Sequence, residues 1–248
     1  MKISIKIKKI LKSFYFSLKR FPWAIAFAAA TTLILIILVN FHSSYNVDTI
    51  DILKRVAMTL ALGFPLLLSI DLIFERYDDF KKINKYLMKI SSLILFVLYY
   101  FYLLSEINML SVTRYFAITI ALYLSVFIIH YFYKRNNFEM YIVHIFTRFF
   151  ITIIYSAVMY IGLAAIFFTL NKLFNLPISS DLYLTAWLLV VGIFAPIFLL
   201  AGIPSYKHKL SIKDYPMFLK ILILYIVLPI ISVYTTILYL YFIKILIN

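Results

Sequence analysis

Two carboxylates and an arginine are the residues in this sequence best placed to do chemistry. Asp71 and Glu75 stand four apart in DLIFER, with Arg76 beside them. That spacing puts both acids on one helix face, where they repel. Ionisable groups within apolar spans are costly and mark ion or proton paths. Asp71 lies one turn inside the end of an apolar run, 52–74, so it is the candidate for such a role. Arg76 or a basic residue of the following loop would compensate its charge. The plainer reading is an interfacial ion pair made by Asp71, Glu75 and Arg76. Lys54 and Arg55 enter the same run from its other side, with Asp48, Asp51 or Glu106 to answer them.

Other chemistry is sparse. His42, His130, His144 and His208 have no H-E-x-x-H or comparable spacing. His130 and His144 flank Glu139, but a metal site needs three or four converging ligands, so no metal and no cofactor is expected. There is no G-x-S-x-G, no second intramembrane aspartate to work with Asp71 and no phosphate-binding glycine loop. No catalytic residue is assigned, and the chain does not read as an enzyme. The absence of cysteine removes disulfides and thiol chemistry.

Glycine and proline offer a second kind of site. Gly63-Phe64-Pro65 interrupts one apolar run, Gly192 and Pro196 another, and Pro229 a third. Proline removes an amide donor and clashes with the carbonyl four residues back. Broken helices of this kind line the binding sites of many transporters. Gly63, Pro65, Asp71, Gly192, Pro196 and Pro229 are therefore the candidate path or hinge positions, against the plainer reading of ordinary kinks. The stretch 190–230 holds four of the seven prolines and two of the four glycines, and the other helices are expected to arrange themselves around it.

The elements that must carry these residues follow from composition. The chain is 65% hydrophobic and 14% charged, with a mean hydropathy of +1.01. Soluble domains carry about 25% charged residues. Continuous apolar runs near the ~20 residues needed to cross the bilayer exclude a barrel, whose strands alternate. The fold class is all-α: a polytopic transmembrane helix bundle of about seven spans, near 21–41, 52–74, 90–104, 115–133, 149–170, 182–201 and 218–243. The third is short, and Lys89 and Ser105 are expected to supply its ends.

The net charge of +14 would suggest nucleic acid in a soluble protein. Here the cations sit in short loops, so topology explains them and nucleic acid is not an expected partner. Nineteen Lys and Arg fall on one side of the spans and five on the other. The positive-inside rule then places the N-terminus in the cytoplasm and the C-terminus outside.

The domain organisation is a basic amphipathic segment, residues 1–20, followed by the bundle, 21–248. Ile3, Ile7, Ile10, Leu11, Phe14 and Leu18 recur at helical spacing among lysines. Such a face suits an anionic leaflet, so Lys2 to Arg20 is the candidate lipid contact. A topogenic basic patch is the equally simple alternative. The main partner is the lipid bilayer itself.

Several segments together resemble a known family. They are KRFPWAIAFA, LALGFPLLL, SVTRYFAITIALYL, YKRNNFEMYIVHIFTRFF, LLAGIPSY, DYPMFLKILILYIVLPI and LYLYFIKILI. The chain resembles, over nearly its whole length, the bacterial multi-pass membrane proteins of domain-of-unknown-function family 4153. The resemblance implies the inner (cytoplasmic) membrane. It carries over no activity, ligand or catalytic residue. It also implies further membrane helices downstream, so the chain reads as a short member or as the N-terminal membrane part of a longer one. Function divides into two expectations. One is a transporter or permease-like component, with the broken helices lining the path. The other is a non-catalytic scaffold or sensor subunit that recruits a protein partner, or a missing C-terminal part, through basic cytoplasmic loops.

Overall fold

The computed structural model describes the backbone of residues 17–41, 45–76, 82–104, 107–133, 138–203 and 226–247, and their side chains apart from those of 76, 82–85, 130–133, 138–141 and 245–247. The principal helices among the described residues are, in order, α1 (Pro22–Phe41), α2 (Val47–Arg76), α3 (Lys82–Leu98), α4 (Met109–Tyr133), α5 (Phe138–Phe174), α6 (Ser180–Ala201) and α7 (Leu228–Ile247). No strand occurs among the described residues. The first six are long and apolar enough to cross a membrane. The seventh expected span has its first part outside the described residues, as do the amphipathic segment up to residue 16 and the basic loop 204–225.

Local chemistry explains the helix boundaries. Pro22 opens α1, where a missing amide costs nothing. Asn46 precedes α2 and Asp48 lies in its first turn, suiting the positive end of the helix dipole. At the end of α5 Lys172 lies in the last turn, Asn175 takes the left-handed conformation at φ 51°, and Pro177 follows. Extended Ser179 then leads into α6, with Asp181 in its first turn.

Lengths differ from expectation at two helices. The third span begins at Tyr86 and covers 18 residues, because its first turn continues the helix that starts at Lys82. It also gains a π turn at Tyr99–Leu103, closed by the Leu104 amide donating to the Tyr99 carbonyl at 3.1 Å. The fifth helix is 37 residues long and starts at Phe138, well ahead of Phe149.

Among the described residues the most buried span is α2; of the 190–230 stretch, residues 204–225 lie outside them. Of the α2 span 67% is buried, against 6% for α4 at nearly equal hydropathy. It packs against α1, α3 and α4, while α1 also touches α6, and α5 reaches α4, α6 and α7. Small and apolar residues let α2 take that place: Ala57, Leu62, Phe64, Leu67, Leu68 and Ile70 are all buried. In a bilayer apolarity does not drive helices together, so close packing and polar contacts decide which helix lies inside.

Candidate functional site

The polar contacts gather at one end of the bundle, where the segment entering α1, the end of α2, the start of α3 and the end of α6 converge. Asp71 is almost wholly buried, and Lys89 of α3 brings its Nζ to 2.8 Å from Oδ1. The approach is that of an ion pair rather than an aligned hydrogen bond. Glu75, one turn on, is held by Arg20 in a bidentate fork. Nε donates to Oε1 and Nη2 to Oε2, each at 2.6 Å. The third arm of the same guanidinium, Nη1, donates to the Ile203 carbonyl at 2.8 Å. Its plane also lies 4.7 Å from the centre of the Phe21 ring.

This arrangement answers two physical demands together. Two carboxylates at i, i+4 repel unless each has its own cation, and here the two cations come from different helices. The carbonyls just past the end of α6, where the chain leaves the helix, also need partners. Arg20 takes Ile203, and His144 Nε2 of α5 lies 3.2 Å from the Gly202 carbonyl. Cations at a helix C-terminus also complement its dipole. Arginine is suited to the linking position because its planar fork can bind a carboxylate with two arms and a carbonyl with another.

Gly202 caps the end of α6. Its φ of −87° is ordinary right-handed backbone, so conformational freedom is not what it supplies. A Cβ there would come within 2.7 Å of Arg148 Cδ on α5. The glycine makes room for the crossing arginine.

Of the candidate path positions, Asp71 is in this ionic layer; the Gly and Pro positions lie elsewhere along the helices, and two are filled from α1. A Cβ on Gly63 would meet the Phe27 ring at 2.1 Å, and one on Gly192 would meet Thr32 Oγ1 at 2.0 Å. Phe27 thus packs against α2 at Gly63 and also faces Phe96 of α3 at 5.7 Å. Thr32, buried and donating to the Ala28 carbonyl at 2.7 Å, keys into the break of α6. Pro65 is fully buried within continuous α2. Below it the Ser69 hydroxyl lies 2.8 Å from that of Ser125 on α4, and each is also within hydrogen-bond distance of a carbonyl of its own helix, Pro65 and Leu122. Pro196, lacking an amide, follows a π turn at Val190–Phe194 closed by the Ala195 amide onto Val190. Pro229 sits in the first turn of α7, next to Ile230, whose side chain occupies the space beside Gly162.

The structure thus separates residues that the sequence joined. Asp71 and Glu75 lie at the ionic end, whereas Gly63 and Gly192 lie against side chains of α1. The side chains of Arg76, His130 and Glu139, and residues His42, Glu106 and His208, lie outside the described residues. No group of three potential metal ligands occurs among the described residues. Lys89 comes from the basic segment after α2 that the sequence reading expects to compensate Asp71, although that reading also makes it a snorkelling end of the third span; Arg20 is there only part of the basic N-terminal segment. Arg20 is 55 residues from Glu75, and no local pattern signals that pairing.

The family model described as "Domain of unknown function (DUF4153)" matches residues 24–248. No curated protein and no solved structure matches the chain.

Proposed function

The chain belongs to the DUF4153 family, an integral membrane protein of several spans, and on that footing we propose that it is a non-catalytic scaffold or sensor subunit of the bacterial cytoplasmic membrane. Its N-terminus lies in the cytoplasm, and it recruits a protein partner through its basic end. The observation that carries this reading is the ionic layer. Arg20, Glu75 and the Ile203 carbonyl, with Lys89 and Asp71 beside them, tie the segment entering α1 to α2, α3 and α6. They do so at the end where the sequence concentrates its basic loops. Helix ends held in this way give those loops a fixed platform. The keyed breaks at Gly63 and Gly192 support the same reading, because Phe27 and Thr32 occupy the space a path would need.

Transport is the second reading, favoured by the π turn at Val190–Phe194 ahead of Pro196. Such turns recur at functional sites within membrane and soluble helices. The two readings separate in the native cysteine-free background. Single cysteines at Phe64 and Ile193 are expected to resist a water-soluble maleimide added from either side. Labelling of both from one side would replace the scaffold with a transporter. A reporter fused after Asn248 is expected to be active only outside the cytoplasm, and cytoplasmic activity would reverse the orientation.

A further inference from the structure

Beside the middle of α2, an apolar cleft of ≈670 Å³ opens between α2, α3 and α4. That volume is within the roughly 300–1,000 Å³ of ligand sites. Leu62, Phe96 and Tyr99 form its buried floor, and Leu66 and Leu122 flank them. Tyr102, 78% exposed, stands at the rim, so the cleft opens sideways towards the acyl chains of the bilayer.

Two polar groups there have less than they need. The hydroxyl of Tyr99 is buried and makes no hydrogen bond among the described residues, although a buried phenol ordinarily finds a partner. Arg55 lies on the same face of α2 as Leu62, two turns nearer the helix start. Its guanidinium rests 4.6 Å from the centre of the Tyr100 ring, and Nη2 approaches the Tyr100 carbonyl at 3.4 Å. Its Nε is buried without a partner among the described residues, and the nearby Asp51 is engaged by Lys54. Arg55 also lies roughly 30 Å along α2 from Glu75 at 1.5 Å per residue, one hydrocarbon thickness away. That is the depth at which lipid phosphates lie.

We propose that this is a binding site for one anionic phospholipid of the surrounding membrane, with an acyl chain in the cleft and the phosphate on Arg55. The charge complements the headgroup, and the planar guanidinium suits phosphate oxygens. The unpartnered tyrosine hydroxyl gives an ester oxygen a donor part way down the chain. Bulk lipid would fill the cleft without regard to headgroup, whereas this site distinguishes them.

The test uses the full chain in nanodiscs of mixed phosphatidylglycerol and phosphatidylethanolamine, released into the gas phase for native mass spectrometry. One phosphatidylglycerol is expected to stay bound in preference to phosphatidylethanolamine. Arg55→Gln is expected to lower that preference about tenfold, as for loss of a hydrogen bond to a charged group. Arg55→Lys should retain part of it, and Leu66→Trp, which fills the cleft, should reduce retention of both lipids. Lys54→Gln should leave the preference unchanged. Equal retention of the two lipids, or equal losses in the Arg55 and Lys54 variants, would overturn the site in favour of bulk lipid or diffuse surface charge. A lipid-free dimer would overturn it in favour of a second copy covering the cleft.

Discussion

The two ends of α2 carry charge in opposite ways. At the C-terminal end Asp71 and Glu75 are paired with cations from α3 and from the segment entering α1. At the N-terminal end Asp51 pairs at 3.2 Å with Lys54 of its own helix, both half exposed, and Arg55 rests on an aromatic ring. Pairing between helices at the first end fixes their relative positions. Pairing within one helix at the second fixes nothing beyond that helix. One end is therefore clasped by ion pairs, while the other meets the turn after α3 through Arg55 on Tyr100.

Breaking the clasp should have the largest effect. Lys89→Met leaves Asp71 charged and buried, and loss of one member of such a pair costs on the order of 3–5 kcal/mol. Thermal unfolding in detergent should show it as a large fall in midpoint. Asp71→Asn combined with Lys89→Met should recover most of the loss, since an apolar replacement of a buried pair is often neutral. If the double variant is as unstable as the single one, the pair is not what holds α3 to α2.

Glu75→Gln comes next. It keeps the shape but removes the charge that receives both arms of Arg20, at about 1.5–3 kcal/mol for hydrogen bonds to a charged group. Its readout is accelerated proteolysis near the end of α6, because Arg20 also holds the Ile203 carbonyl. Gly63→Ala forces the Phe27 ring aside, and overpacking of this sort costs about 1–3 kcal/mol. Phe27→Leu in the same chain should relieve it, which would distinguish steric keying from a change in helix propensity. At the outer end Lys54→Gln should shift the melting midpoint hardly at all, because exposed pairs contribute about 0.2–1 kcal/mol. An effect there as large as that at Lys89 would erase the contrast between the two ends.

The spans were legible because hydrocarbon imposes a length and an apolar composition that any sequence window displays. The same uniformity hid their arrangement. By hydropathy α2 and α4 are nearly alike, yet one is mostly buried and the other mostly exposed. What separates them is the fit of single residues, such as Phe27 into Gly63, which depends on a partner far along the chain. The carboxylates were legible for a related reason: Asp71 is conspicuous among leucines. Its cation was counted with the loop charges, because Lys89 at the start of an apolar run looks the same whether it snorkels to water or turns inward. The Gly/Pro breaks were visible as breaks, but a glycine that opens a path and one that admits a neighbouring side chain have identical sequences.

The length of α5 has a mechanical consequence. Its 37 residues make a rod of roughly 55 Å at 1.5 Å per residue, against ~30 Å of hydrocarbon. It crosses α6 where Arg148 passes over Gly202, and it bears on α7 where Gly162 receives Ile230. The length in excess of the hydrocarbon is taken up by tilt or by projection past it.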